Sequence, residues 1–189
     1  MFHPTWGTDE KYIHPEHLKT SMTLEKIAKW SEENMMILNP KKSKYLIFSR
    51  SKSNFSTRLD IEGSNLERQK SMKLCGVWLS ENLSWDRHVK EMGKNAFARM
   101  QMLSKLKFVG LPTEDLIEIY CLFIRSVLEY CSMAFHSSLS KEQSQYLEFI
   151  QVCALKVILG PVNFVSSSAA REMCGLSSLE EWRDRRLYS

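Results

Sequence analysis

From Thr23 onward the apolar residues Leu24, Ile27 and Ala28 recur at helical spacing, Ser21 or Thr23 can cap the run, and the pattern fades near Asn34. A first helix is predicted there. Pro40 blocks its continuation, and Lys44 to Ser49 (KYLIFS) is an aromatic, β-branched run of strand character. Leu59-Asp60-Ile61 alternates ahead of a Glu62-Gly63 turn, and Met72 to Leu79 (MKLCGVWL) reads as a second apolar strand with Gly76 inside it. A small antiparallel sheet accommodates these runs.

After Leu79 the strand signals stop. The segment from Trp85 to about Leu106, with Ser84 as its cap, is the most two-sided of the chain: Trp85, Val89, Met92, Ala96, Met100 and Leu103 share one face, and Arg87, Lys90, Lys94, Gln101 and Lys105 the other. Glu114 to about Ala134 is apolar nearly all round and is predicted as the central helix. Ser140 with Gln143 forms a capping-box pattern for a helix that ends at Gly160-Pro161, and Ser177 with Glu180 repeats it for a last helix. Residues 1–22 show no periodicity and are expected to be an irregular leader. The resulting division is a leader over 1–22, a segment with the small sheet over 23–80 and a helical segment over 81–189: a mainly helical α+β protein.

Composition adds a location for charge. The 189 residues carry a net charge of +4, yet residues 41–110 hold 15 basic against 6 acidic side chains. A basic middle points to a polyanionic partner. The most apolar window, Leu116 to Phe135, is interrupted by Glu118, Arg125 and Glu129, so no membrane span is expected. Without a secretory pattern at the amino terminus, the location expected is intracellular, in nucleus or cytoplasm. Five cysteines in apolar settings, an odd count with no close pairing, read as reduced core residues and not as a zinc cluster, and His14 and His17 sit beside Pro15 in a poor helix context for a metal site.

Three segments together resemble the part of a non-LTR retrotransposon reverse transcriptase that follows its catalytic loop. The first is LEKIAKWSEENMMILNPKKSKYLIFSR, in which Trp30, Ser31, Asn34, Leu38, Asn39, Lys42 and Ser43 match the helix, turn and strand after the catalytic aspartates. Met35 stands where that family usually has Gly. The second is MKLCGVWLSENLSWDRHV, which resembles the strand, turn and helix start that grip the primer, with Leu74, Cys75, Gly76 and Val77 at the grip. The third runs through LIEIYCLFIRSVLEYCSMAFHSSL and LEFIQVCALKVILG, with Tyr120, Glu129, Tyr130, Gln151, Ala154 and Leu155 matching best.

The resemblance implies a palm remnant followed by a helical thumb. It makes Lys42 a vestigial general acid for the leaving pyrophosphate, and it sets the α-helical face of Arg87, Lys90, Lys94 and Lys105, with Lys41 and Lys44, along an RNA or RNA/DNA duplex. Polymerisation by the intact family needs magnesium held by carboxylates. Asp9, Asp60, Asp86, Asp115 and Asp184 include no adjacent pair, so no cofactor is expected here and this chain alone is predicted to be inactive. Weak, salt-dependent duplex binding is the remaining expectation. The alternative is a helical protein-interaction module that meets a partner or a second copy through an uncovered apolar surface.

Overall fold

A computed structural model describes residues 15–48, 58–161 and 166–187, which fall into two compact units, Met1–Ser71 and Met72–Ser189. The protein is mainly helical, with strands confined to two-stranded pairs. The division comes nine residues earlier than the boundary expected near residue 80, because the segment 72–80 joins the helical unit.

In the first unit, α1 spans Pro15–Glu33, so residues 15–22 are helical and the expected leader shrinks to 1–14, outside the described residues. Proline suits a helix start because its fixed φ and missing N–H cost nothing there. Lys19, Thr20 and Met22 are exposed, so no apolar stripe marks these positions. The helix ends in a left-handed residue, Met35 at φ +54, with Met36 N–H donating to Ser31 O at 2.8 Å. This is a Schellman-type stop, which glycine fits best.

Strands β1 (Lys44–Tyr45), β2 (Asp60–Ile61), β3 (Ser64–Asn65) and β4 (Glu67–Arg68) follow. The β2–β3 pair is the antiparallel hairpin expected at Glu62-Gly63, both of which have positive φ. β1, in contrast, pairs parallel with β4, Lys44 opposite Glu67. The expected single antiparallel sheet is therefore replaced by separate short pairs: the chain passes through the hairpin and returns beside β1 in the same direction. Leu59, Ile61 and Leu66 form a small core with Leu24, Leu38 and Tyr45.

In the second unit, MKLCGVWL is not one strand but a hairpin, β5 (Ser71–Leu74) and β6 (Val77–Ser80). Cys75 at φ +46 and Gly76 at φ +86 make its two-residue turn. Two successive positive φ values match the twist of the flanking strands, and glycine carries the second at no steric cost.

Helix α2 (Asp86–Phe108) buries Val89, Met92, Ala96, Met100 and Leu103 against the rest of the bundle. Its main partner is α5 (Lys141–Leu159), which opens on the predicted capping box between Ser140 and Gln143. The close approach of the two helices depends on Gly93, where a Cβ would overlap the Tyr146 ring and hydroxyl. The central helix is α3 (Thr113–Ile119), a π-helical stretch Tyr120–Arg125 and α4 (Ser126–Glu129); it stops at Tyr130 instead of Ala134 because Cys131 turns left-handed at φ +56. Two short 3-10 turns, Ser132–Ala134 and His136–Ser138, lead on to α5. The π stretch shifts the backbone pairing, and side chains take up carbonyls there: Ser126 Oγ donates to Leu122 O at 2.6 Å and Arg99 Nη1 donates to Phe123 O.

Two short helices close the bundle, α6 (Ser167–Met173) and α7 (Leu179–Leu187). Ser178 and Glu181, not Ser177 and Glu180, cap α7 reciprocally. Ser177 is spent elsewhere, accepting from Arg125 and Arg185. Of the cysteines only Cys174 is buried; Cys75 and Cys131 sit exposed in left-handed turns, which corrects their reading as core.

Candidate functional site

The hairpin turn and the end of α4 meet at one point. Tyr130 lays its ring against Gly76, where a Cβ would lie 2.8 Å from Cε1, and its hydroxyl donates to Cys75 O at 3.0 Å. The absence of a side chain at residue 76 is what admits the ring. Leu74, Cys75 and Gly76 are exposed at the turn, whereas Val77 is buried and faces inward, so it cannot share in a surface contact there.

Beside this junction lies a cleft of about 520 Å³ between the hairpin, α2 and α4. The aromatic residues Trp78 and Tyr130, the basic residues Lys73 and Arg99, and Asn95 and Glu91 are among the residues that line it. Arg87 stacks its guanidinium 3.6 Å over the Trp78 ring, so it supports the indole instead of standing free on the cationic face.

His88 also lines the cleft and is 3% exposed. Its Nδ1 accepts from the Trp78 N–H at 3.5 Å, which leaves the ring proton on Nε2. That Nε2–H is buried without an acceptor. Desolvation, and secondly the nearby Lys73 charge, push the His88 pKa below the usual histidine value and keep the ring neutral. Edge-to-face packing on Phe135, with centroids 5.0 Å apart, fixes the ring plane.

On α2, Lys90, Lys94 and Lys105 are exposed, as the periodicity predicted. The helix carries six basic and two acidic residues. Lys90 and Lys105 are about 22 Å apart along its axis, at about 1.5 Å per residue.

In the first unit, Lys41 and Lys42 are exposed on a turn organised by Asn39, whose Oδ1 accepts from the Lys42 N–H at 3.2 Å while its carbonyl accepts from Ser43 Oγ at 3.0 Å. This is the physical content of the Asn-x-x-Lys-Ser pattern. Lys44 differs: it is held by Glu67 at 2.8 Å, and that bond keeps the Glu67 carboxyl below its ordinary pKa. Lys44 is therefore an ion-pair partner within the unit, not a spare cation.

A second cleft of about 550 Å³ is lined in part by His136, Ser144, Glu148 and Glu180. Serine, histidine and the adjacent Asp184 invite comparison with a nucleophilic triad, but the hydrogen bonds exclude it. His136 Nε2 pairs with Asp184 at 2.7 Å while its Nδ1 accepts from buried Arg183 at 3.0 Å, and Ser144 Oγ accepts from the same guanidinium at 3.1 Å. Both histidine nitrogens are occupied, so none can take the serine proton. Among the described residues no group of three or more His, Cys, Asp or Glu side chains converges as a metal site. None of the described helices is long and apolar enough to cross a membrane.

No protein-family model, curated protein or solved structure matches the chain.

Proposed function

We propose that this chain is the post-catalytic portion of a retrotransposon-type reverse transcriptase, a palm remnant and thumb that grip an RNA or RNA/DNA duplex and polymerise nothing by themselves. The observation that carries the reading is the seating of Tyr130 on the Cys75-Gly76 turn. Two segments picked out by resemblance, 55 residues apart, meet at the residues that carry it. Met35 adds support: the position where the family usually has Gly has a left-handed φ of +54, the conformation glycine favours.

Duplex contact is assigned to Lys90, Lys94 and Lys105 on α2. Lysines on one ridge neutralise phosphates without reading sequence. Lys42 keeps the position of a general acid, in a sequence that carries no adjacent aspartate pair. Fluorescence anisotropy with a labelled RNA/DNA hybrid tests the reading. The triple variant K90E/K94E/K105E should lose at least about tenfold in affinity at low salt. Equal binding by variant and parent overturns the assignment, and nucleotide incorporation by the chain alone overturns its inactivity.

The second reading, a protein-interaction module, is favoured by Leu122 and Phe123, adjacent large apolar residues left exposed on the π-helical stretch. It becomes the preferred reading if hybrid binding is absent at low salt.

A further inference from the structure

Apart from Gly76 and Tyr130, the cleft between the hairpin, α2 and α4 is lined by side chains that the duplex reading does not use. Its volume of about 520 Å³ falls among pockets that take small ligands, roughly 300–1,000 Å³. Its aromatic walls are Trp78, steadied from one side by Arg87, and Tyr130, anchored on the Cys75 carbonyl. Such faces take planar rings without regard to their identity. Lys73 from β5 and Arg99 from α2 supply positive charge, and Arg99 is fixed in place by its bond to the Phe123 carbonyl in the π stretch. A guanidinium held this way suits a phosphate. Asn95 offers both donor and acceptor to a ring edge, and Glu91 an acceptor for an amino group. Last, His88 lines the same cleft with a buried Nε2–H that has no acceptor, a state that folded proteins rarely leave uncorrected.

We propose that this cleft binds a single nucleotide unit, a nucleobase carrying one phosphate, with Trp78 and Tyr130 against the base and Lys73 and Arg99 on the phosphate. Asn95 and Glu91 meet the base edge, which favours bases with an exocyclic amino group. The phosphate-bearing base can arrive free or as an unpaired residue of a strand; the chemistry recognised is the same. The inference goes beyond the duplex reading; the two share Tyr130, but the cleft uses none of the phosphate contacts assigned to Lys90, Lys94 and Lys105.

The test is a titration of the full chain with AMP, CMP, adenosine, inorganic phosphate and a single-stranded RNA tetramer, read by calorimetry and by quenching of tryptophan fluorescence. AMP or the tetramer should bind saturably, adenosine at least about tenfold more weakly than AMP, and K73Q and R99Q should each weaken AMP by about fivefold or more. W78F should abolish most of the quenching, and R99K should fall between parent and R99Q. Saturation by the tetramer but not by AMP assigns the site to a strand; saturation by both assigns it to the unit itself. The proposal is overturned by no saturable binding of either up to about 5 mM, by affinity unchanged in K73Q and R99Q variants that keep the parent circular dichroism, or by inorganic phosphate binding as well as AMP. K73Q and R99Q should leave hybrid-duplex affinity unchanged, so failure here and failure of the duplex reading give different results.

Discussion

Replacing Gly76 with alanine tests the junction on which the functional reading rests. The new methyl would sit at φ +86, 2.8 Å from Tyr130 Cε1 and 3.3 Å from its hydroxyl. The left-handed backbone costs an L-residue about 1–2 kcal/mol by itself. Because Tyr130 is 55% exposed, the ring swings out instead of forcing the turn apart. The added cost is then chiefly the lost Tyr130–Cys75 hydrogen bond, about 0.5–1.5 kcal/mol. Together Gly76→Ala should destabilise the helical unit by roughly 2–3 kcal/mol. Tyr130→Phe, which removes only the hydrogen bond, should cost about 0.5–1 kcal/mol. In a Tyr130→Ala background Gly76→Ala retains only its backbone cost, giving a coupling energy of about 1 kcal/mol. Urea unfolding followed by helical circular dichroism measures all four states of the cycle. Additive effects, with Gly76→Ala costing the same whether or not Tyr130 is present, would refute the contact.

Three further substitutions test other parts of the account. Met35→Gly relieves a left-handed methionine and should raise stability by up to about 1 kcal/mol in urea unfolding; a loss would show that Met35 contributes contacts its exposure does not suggest. Gly93→Ala should destabilise by about 1–2 kcal/mol, since the overlap with Tyr146 outweighs a gain of about 1 kcal/mol in helix propensity, whereas the same change beside Tyr146→Ala should turn stabilising. His88 has a folded pKa below its ordinary 6.5, so the unfolded chain binds the proton first as pH falls. Stability should therefore be full above pH 6.5, decline through the ordinary histidine range, and level off once folded His88 itself protonates, a decline that His88→Leu should reduce. An unchanged pH profile in that variant contradicts the burial assigned to the ring.

Local chemistry was legible in the sequence where a motif specifies its own geometry. The Ser140–Gln143 capping box and the Glu62-Gly63 turn formed as read, because each satisfies its hydrogen bonds or dihedrals within a few residues. The Cys75-Gly76 turn carried the same two-residue signal, but continuous apolar flanks masked it as one strand. The start of α1 left no apolar period to read, and Pro15 was the remaining cue. The α7 cap slipped by one residue because Ser177 and Ser178 are equally good caps, and burial of Arg125 near Ser177 decides between them.

The α2 face followed from a 3.6-residue period, so Lys90, Lys94 and Lys105 emerged outward as expected. Arg87 and Lys44 belonged to the same cationic reading, yet each has a local partner supplied by tertiary structure, Trp78 and Glu67. The cleft was invisible to the sequence. Lys73, Arg99 and Tyr130 come from three separated elements, and only the hairpin turn, the π stretch and the left-handed stop at Cys131 bring them to one wall.

The most direct test of the central claim is the dependence of hybrid-duplex affinity on salt. Three lysines neutralising phosphates along α2 predict that log K falls linearly against log salt with a slope near −2.7, about −0.9 per contact, and that each charge removed at residues 90, 94 or 105 flattens it by about one. Affinity that is absent at low salt, or a slope near zero, contradicts the account.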